Sequence, residues 1–290
     1  MPTALDHLLK FAGRTRMPGI YRAINALRPA KSISPDRAGY VTRFAGLEYQ
    51  GLLNEHIDRE IFYFGGYARA ELDFLDQAAQ RCNVKSFYDI GANVGQHALW
   101  MSQRVDAVNA FEPSVAARRR LDANIARNGV ANIRLWPFGL GDRDEDANLG
   151  GGFANNSGSR SLMWGLEDGG EAVRVARGDA FVAAHGLPAP DLIKIDVEGY
   201  ERRVLVGLAE TLVRHRPIIM IELVHPGKGD FANEQAFRDH LYPDHQLYTL
   251  NGRNRAVLSP FDWDAEEAVC IPAERAASFA DMVGGSDLGS

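Results

Sequence analysis

Phe87-Tyr88-Asp89-Ile90-Gly91-Ala92-Asn93-Val94-Gly95-Gln96-His97 decides the fold. The apolar run closing at Asp89–Ile90 reads as a buried strand, and a helix is expected from about Gly95. Gly91, Asn93 and Gly95 between them allow a tight turn that bulkier residues would block. Backbone N–H groups at such a helix start face the ligand crevice of an open α/β sheet. This is not the dinucleotide pattern GxGxxG, because Asn93 and Gln96 stand where glycines are required. Asp89 would repel a diphosphate and instead suits a cationic group such as the ammonium of a methionine moiety. The same stretch also reads as an ordinary strand-to-helix turn.

Downstream, Ala107–Phe111 reads as the next strand and ends in Glu112-Pro113, 21 residues after Gly91. A carboxylate at that tip suits the two hydroxyls of a ribose, although a strand-end acid can also simply face solvent. After the third strand, Gly139 and Asp142 lie where such folds seat an adenine. Strands are expected at 86–90, 107–111, 132–136, 191–195 and 217–223, with helices over 95–103, 114–127 and 198–213. Short apolar runs alternating with helices give parallel strands with right-handed crossovers. A helix near 233–241, a hairpin from 246–250 through Asn251-Gly252 to 256–258, and a strand at 267–271 give the sheet an antiparallel C-terminal edge. Seven of the 21 residues from Gly150 to Gly170 are glycine, and this stretch is expected to be a flexible lid or substrate loop.

Asp191-Leu192-Ile193-Lys194-Ile195-Asp196-Val197-Glu198-Gly199-Tyr200-Glu201 carries the second concentration of charge. Lys194 interrupts a buried strand, and Asp196 and Glu198 crowd its carboxyl end. The next strand ends in Glu222, with His225 three residues on. Strands four and five should be neighbours, so Asp196 and Glu222 meet at one rim, with Glu198 or His225 nearby. An alcohol near pKa ~15 needs a base or a metal at neutral pH. The Asp196/Glu222 rim is the candidate for either role, its hard oxygen ligands suiting Mg²⁺. Glu198 and Glu201 equally read as favourable charge in a first helical turn, and His225 as a plain loop histidine.

The chain has 290 residues and a net charge of −6. Residues 1–45 hold eight Lys or Arg against Asp6 and Asp36, leaving the rest at −12. That basic segment could touch an anionic membrane, whereas the acidic body disfavours nucleic acid. Cys82 and Cys270 show no metal or disulfide spacing. Neither a secretory leader nor a membrane-length apolar run is visible, so a cytoplasmic protein, peripheral at most to the inner membrane face, is expected. The organisation expected is a basic helical leader over 1–37, an extension over 38–85, the α/β domain over 86–275 and a tail over 276–290. Short strands are expected around 40–53 and 59–64, and a helix near 68–81.

Taken in order, several motifs resemble the FkbM family of methyltransferases. They are Asp89–His97, Phe111-Glu112-Pro113, Asn124 to Asn128, Gly139 to Asp142, the Gly/Asn/Ser loop through Ser159, Lys194 to Glu201 with Val204-Leu205, and Pro217 to Glu222. Gly46–Gly51 and Ile57-Asp58 fit the same pattern, and the resemblance covers roughly 40–272. It implies a Rossmann-like class I fold, S-adenosylmethionine as cofactor and a hydroxyl acceptor on a sugar, a glycolipid or a glycosylated or polyketide product. The family's glutamate before the first core strand falls here at Glu71. Homo-oligomers are compatible with this reading. The rivals are a nicotinamide-dependent oxidoreductase or epimerase, disfavoured by the missing GxGxxG, and a non-catalytic binding module on the same fold.

Overall fold

Short, largely apolar strands buried on both faces build the centre of the protein, seen in a computed structural model that describes residues 2–15, 17, 19–150, 170–223 and 230–284. Two helices, α1 (Ala4–Arg14) and α2 (Ile20–Leu27), precede a hairpin of β1 (Gly39–Phe44) and β2 (Leu47–Leu52), then α3 (His56–Phe64) and α4 (Arg69–Cys82). The core follows as β3 (Ser86–Ile90), α5 (Gln96–Met101), β4 (Ala107–Phe111), α6 (Val115–Asn128) and β5 (Ile133–Trp136). After β6 (Gly139–Gly141), β7 (Glu145–Leu149), β8 (Glu171–Arg177) and α7 (Gly178–Ala184) come β9 (Leu192–Ile195), α8 (Glu201–Gly207), α9 (Ala209–His215) and β10 (Ile218–Glu222). The C-terminal part adds α10 (Glu234–Arg238), β11 (His245–Asn251), β12 (Val257–Pro260) and β13 (Glu267–Pro272).

Eight strands form one sheet in the order β12-β11-β13-β10-β9-β3-β4-β5. From β10 to β5 every pairing is parallel, and from β10 outward through β13, β11 and β12 every pairing is antiparallel. This is the Rossmann-like class I methyltransferase sheet with its antiparallel C-terminal edge. Chain order reverses at β3, between β4 and β9, which puts the crevice at the carboxyl ends of those strands. Phe87, Leu192, Ile218, Met220 and Val269 pack on one face, and Tyr88, Ile193, Ile219, Ile221 and Cys270 on the other. By the same parity Asp89, Lys194, Asp196, Glu222 and Glu267 fall on the first face, at its rim.

Three expectations change. Residues 59–64 belong to helix α3, not a strand. Asp58, Arg59, Ile61, Phe62 and Tyr63 are buried in it, and a short apolar run does not by itself separate the two conformations. Gly65 at φ 93° ends the helix, its N–H bonding Glu60 O and Ile61 O. Strands β6, β8 and β7 form a separate three-stranded sheet, and most of the expected lid, 151–169, lies outside the described residues. The expected helix over 198–213 is broken into α8 and α9.

The extension is bolted to the core. Buried Asp58 accepts from the Tyr49 hydroxyl at 2.6 Å and Leu52 N–H at 2.6 Å, and pairs with Arg120 of α6. Asn124 accepts from Gln50 N–H at 2.8 Å and donates to Gln50 O at 3.2 Å, and Asn128 treats Glu48 the same way at 2.8 and 2.8 Å. Two amides one helical turn apart thus mimic a partner strand for β2. The basic leader is partly neutralised internally. Arg28 pairs with Asp6 at 2.7 Å, Arg14 donates to Ile61 O and Phe62 O, and Lys10 donates to Thr42 Oγ1. Among the described residues no helix is long and apolar enough to cross a membrane.

Candidate active site

The turn after β3 follows from three residues in left-handed backbone: Gly91 at φ 85°, Asn93 at 50° and Gly95 at 83°. Gly91 is required by contact as well as conformation, because a Cβ there would stand 1.8 Å from the Asp196 carbonyl oxygen. The N–H groups of Gly91 and Ala92 both bond Phe111 O at 3.0 Å, tying the turn to the end of β4. Glu112, buried at that end, accepts from Asn93 N–H and from Ser114 N–H, each at 2.7 Å. One lone pair per oxygen is thereby used, so the carboxyl can accept further bonds. Burial pushes Glu112 up to about 7 against those N–H groups. The carboxyl oxygens of Asp89, in the field of Lys194 and near the Ala98 N–H, and the amide oxygen of Asn93 are buried with acceptor capacity left over. Buried polar atoms are seldom left so, and spare acceptors gathered at one crevice mark a place for a polar ligand.

Asp89, Gly91, Asn93, Gly95 and Glu112 therefore form one rim. Gly139 and Asp142 sit apart, on the small sheet: the Asp142 carboxyl lies 3.8 Å from Arg203 of α8, and one of its oxygens is buried without a hydrogen bond. Glu171 of β8 reaches back to bond Ser114 Oγ at 3.1 Å and Val115 N–H at 2.7 Å, which holds that sheet against the Glu112 turn.

Beside the rim lies a knot of charge. Lys194, 5% exposed, places its ammonium 2.7 Å from Asp196 Oδ2. Burial opposes that charge, but Asp196, Asp89 and Glu71 hold it on well above the usual lysine range. Burial likewise opposes ionisation of Asp196, but Lys194 and a hydrogen bond with Glu222 outweigh it and lower its pKa. Asp196, followed by burial, pushes Glu222 up to about 12. The two carboxyls titrate as one coupled pair, in which the Lys194 contact favours the charge on Asp196. Burial and Glu71 also raise Glu267, register partner of Glu222. Glu198 stands in left-handed backbone at φ 55°, and burial, with Asp196 and Glu201, pushes its carboxyl up to about 7. Such a strained non-glycine residue at a site is a functional candidate. Glu201 serves the local fold, accepting from Gly199 N–H at 3.0 Å.

The expected meeting of Asp196, Glu222 and Glu198 is present; His225 lies outside the described residues. The Mg²⁺ expectation is not supported by the donor set. Asp196 is already paired with the Lys194 ammonium at 2.7 Å, a cation where the metal would have to stand. Among the described residues no group of three or more His, Cys, Asp and Glu is arranged to hold a metal.

Sequence reasoning missed Tyr67, Gln96, His97 and Glu267. Gln96 grips the Tyr67 backbone, accepting from its N–H at 2.6 Å and donating to its carbonyl at 3.0 Å. The Tyr67 phenol, its pKa raised by burial and then by Glu71, Glu222 and Asp196, is thereby set at the knot. His97 Nε2 lies 3.1 Å from Glu71. Only Glu267 carried a readable signal, sharing parity with the buried Val269 and Ile271.

A model of the methyltransferase FkbM domain matches residues 89–248. The hexuronic acid methyltransferase AglP of Haloferax volcanii is 30% identical over 125 residues, 43% of this chain and 50% of that protein. The 31-O-demethyl-FK506 methyltransferase FkbM of Streptomyces tacrolimicus is 30% identical over 154 residues, 42% of this chain and 59% of that one. The chain thus spans only about half the length of these curated relatives. A crystal structure of methyltransferase FkbM from Methylobacillus flagellatus superposes with a TM-score of 0.45 at 15% identity, covering 92% of this chain and 59% of that one. With the family model spanning more than half of its residues, the chain belongs to the FkbM family of methyltransferases, which sets the nicotinamide alternative aside.

Proposed function

We propose that the protein transfers a methyl group from S-adenosylmethionine to a hydroxyl of a sugar, a glycolipid or a glycosylated or polyketide product. The observation that carries this is the buried Asp89 carboxyl beside the Gly91–Gly95 turn, whose oxygens retain acceptor capacity for a cationic group. In this reading Asp89 and the turn hold the methionine end, Glu112 the ribose, and Gly139 and Asp142 the adenine edge. Bound there, the cofactor supplies a methyl group on a sulfonium, already a good leaving group. The names of two relatives, one for a hexuronic acid and one for 31-O-demethyl-FK506, support an oxygen acceptor.

Calorimetry with S-adenosylhomocysteine tests the cofactor half. Asp89→Asn and Glu112→Gln should each weaken binding by about tenfold or more, the effect of losing a hydrogen bond to a charged group. Unchanged affinity in both, or preferential binding of NAD by the wild type, would refute the assignment.

The chain's own chemistry is alignment and proton removal. Asp196, kept ionised by Lys194 and steadied by Glu222, stands beside the acceptor hydroxyl, whose hydrogen bond goes to Glu198. Glu198 takes the hydroxyl proton, since its pKa near 7 matches the working pH. Only the ionised carboxylate can accept, so kcat should fall as pH drops below about 7. Glu198→Gln should remove that limb and cost about 100-fold or more in rate. A full-speed Glu198→Gln enzyme with the original pH profile would rule out this base.

A further inference from the structure

A cavity of about 360 Å³ has Tyr67 in its wall. Its wall comes from α1, α2, α3, the Gly66–Arg69 segment and the Arg253-Asn254 turn after β11. All of these fall outside the family-matched residues 89–248. The volume is at the small end of ligand pockets, which run roughly 300–1,000 Å³. Its chemistry is mixed in a particular way: Tyr21, His56 and Tyr67 supply rings, while Glu60, Arg253 and Asn254 supply donors and acceptors. The rings are braced, Tyr21 on Phe64 at 5.4 Å and His56 edge-on to Tyr67 at 5.3 Å. Ring faces carry negative quadrupole potential that takes the C–H face of a sugar, and the amide, guanidinium and carboxyl suit its hydroxyls. A lipid tail would leave those polar groups unpaired.

We propose that this cavity is the acceptor subsite and that it holds a hexosyl ring. The inference rests on the function proposed above and names its substrate class. Tyr67 lines the cavity, and its phenol lies within the field of Glu222 and Asp196, so a ring seated there presents one hydroxyl beside the phenol toward those carboxylates. Burial pushes Glu60 up to about 7, so near neutrality its carboxyl both donates and accepts. Specificity then resides in the N-terminal leader and extension together with the Arg253-Asn254 turn, while the matched segment carries the cofactor.

Saturation-transfer NMR on the full chain loaded with S-adenosylhomocysteine tests this, with methyl glucoside and glucuronate as probes. The wild type should transfer saturation to the ring protons of at least one probe. Tyr21→Ala and Arg253→Gln should each reduce the transfer about tenfold while calorimetric S-adenosylhomocysteine affinity stays unchanged. Arg253 is exposed on a turn, so its variant keeps the test independent of folding. No transfer to either probe from the wild type, or transfer undiminished in both variants, overturns the subsite. Failure of the wild type to bind S-adenosylhomocysteine sinks the cofactor reading instead, and is scored separately from sugar binding.

Discussion

Gly91→Ala should cost more than about 3 kcal/mol of stability and abolish measurable S-adenosylhomocysteine binding. Two independent terms add. The residue sits at φ 85°, where an L side chain costs about 1–2 kcal/mol. The new methyl would also stand 1.8 Å from the Asp196 carbonyl oxygen, a backbone atom at the end of a strand paired on both sides, which cannot swing away as a side-chain tip would. Relief requires moving the turn, the end of β9, or both. The first withdraws the Asn93 N–H from Glu112, and the second displaces Asp196 from Lys194. Gly129→Ala is the matched control. Its φ is 59°, but no atom lies within 4 Å of its hypothetical Cβ, so only the conformational term of about 1–2 kcal/mol applies. Denaturant unfolding of both variants separates the terms. Equal losses in the two would mean that the close approach at Gly91 carries no energy.

That contrast also shows what could be read from the chain alone. The core strands and their order followed from apolar runs spaced by helices, because strand pleat and crossover handedness are local rules. Asp89, Glu112, Asp196 and Glu222 were legible for the same reason: each ends such a run, and strand ends converge on one crevice. Tyr67, Glu71 and His97 join the knot through helix packing between distant segments, which periodicity does not encode. Glu71 was noticed only by family resemblance, with no role attached. Asn124 and Asn128 entered as motif residues too, although their work is to pair β2 with α6, a contact spanning more than 70 residues. Residues 59–64 were misread because four apolar residues in a row satisfy strand and buried helix alike. The roles within the carboxyl pair were less legible: Lys194 and Asp196 share a strand face in the sequence, but the 2.7 Å contact that favours charge on Asp196 over Glu222 depends on how the buried groups pack.

Lys194→Met is the second large effect, and its pH dependence identifies the cause. In the folded protein Asp89, Asp196, Glu71, Glu222 and Glu267 all lie within the reach of the Lys194 charge. Removing one partner of a buried ion pair leaves an uncompensated charge and costs about 3–5 kcal/mol. The lysine's folded pKa is raised, so its contribution is fully present below its unfolded value of 10.5 and is lost only as pH climbs through the higher folded value. Wild-type stability therefore gains no slope from this group near neutrality. In the variant the methionine fills the space but not the charge, and Asp196 is left with burial, which favours its protonated form. An acid with a raised folded pKa is penalised progressively as pH rises from its unfolded value through the folded one, so the variant should lose stability as the solution becomes more alkaline. The gap between wild type and Lys194→Met, measured by denaturant unfolding, should consequently be smaller at pH 5 than at pH 8. Lys194→Arg, which keeps the charge in a larger group, should recover part of the pH 8 loss while still straining the site. A gap of the same size at both pH values would reduce Lys194 to a packing residue and remove the reason for Asp196 to stay ionised.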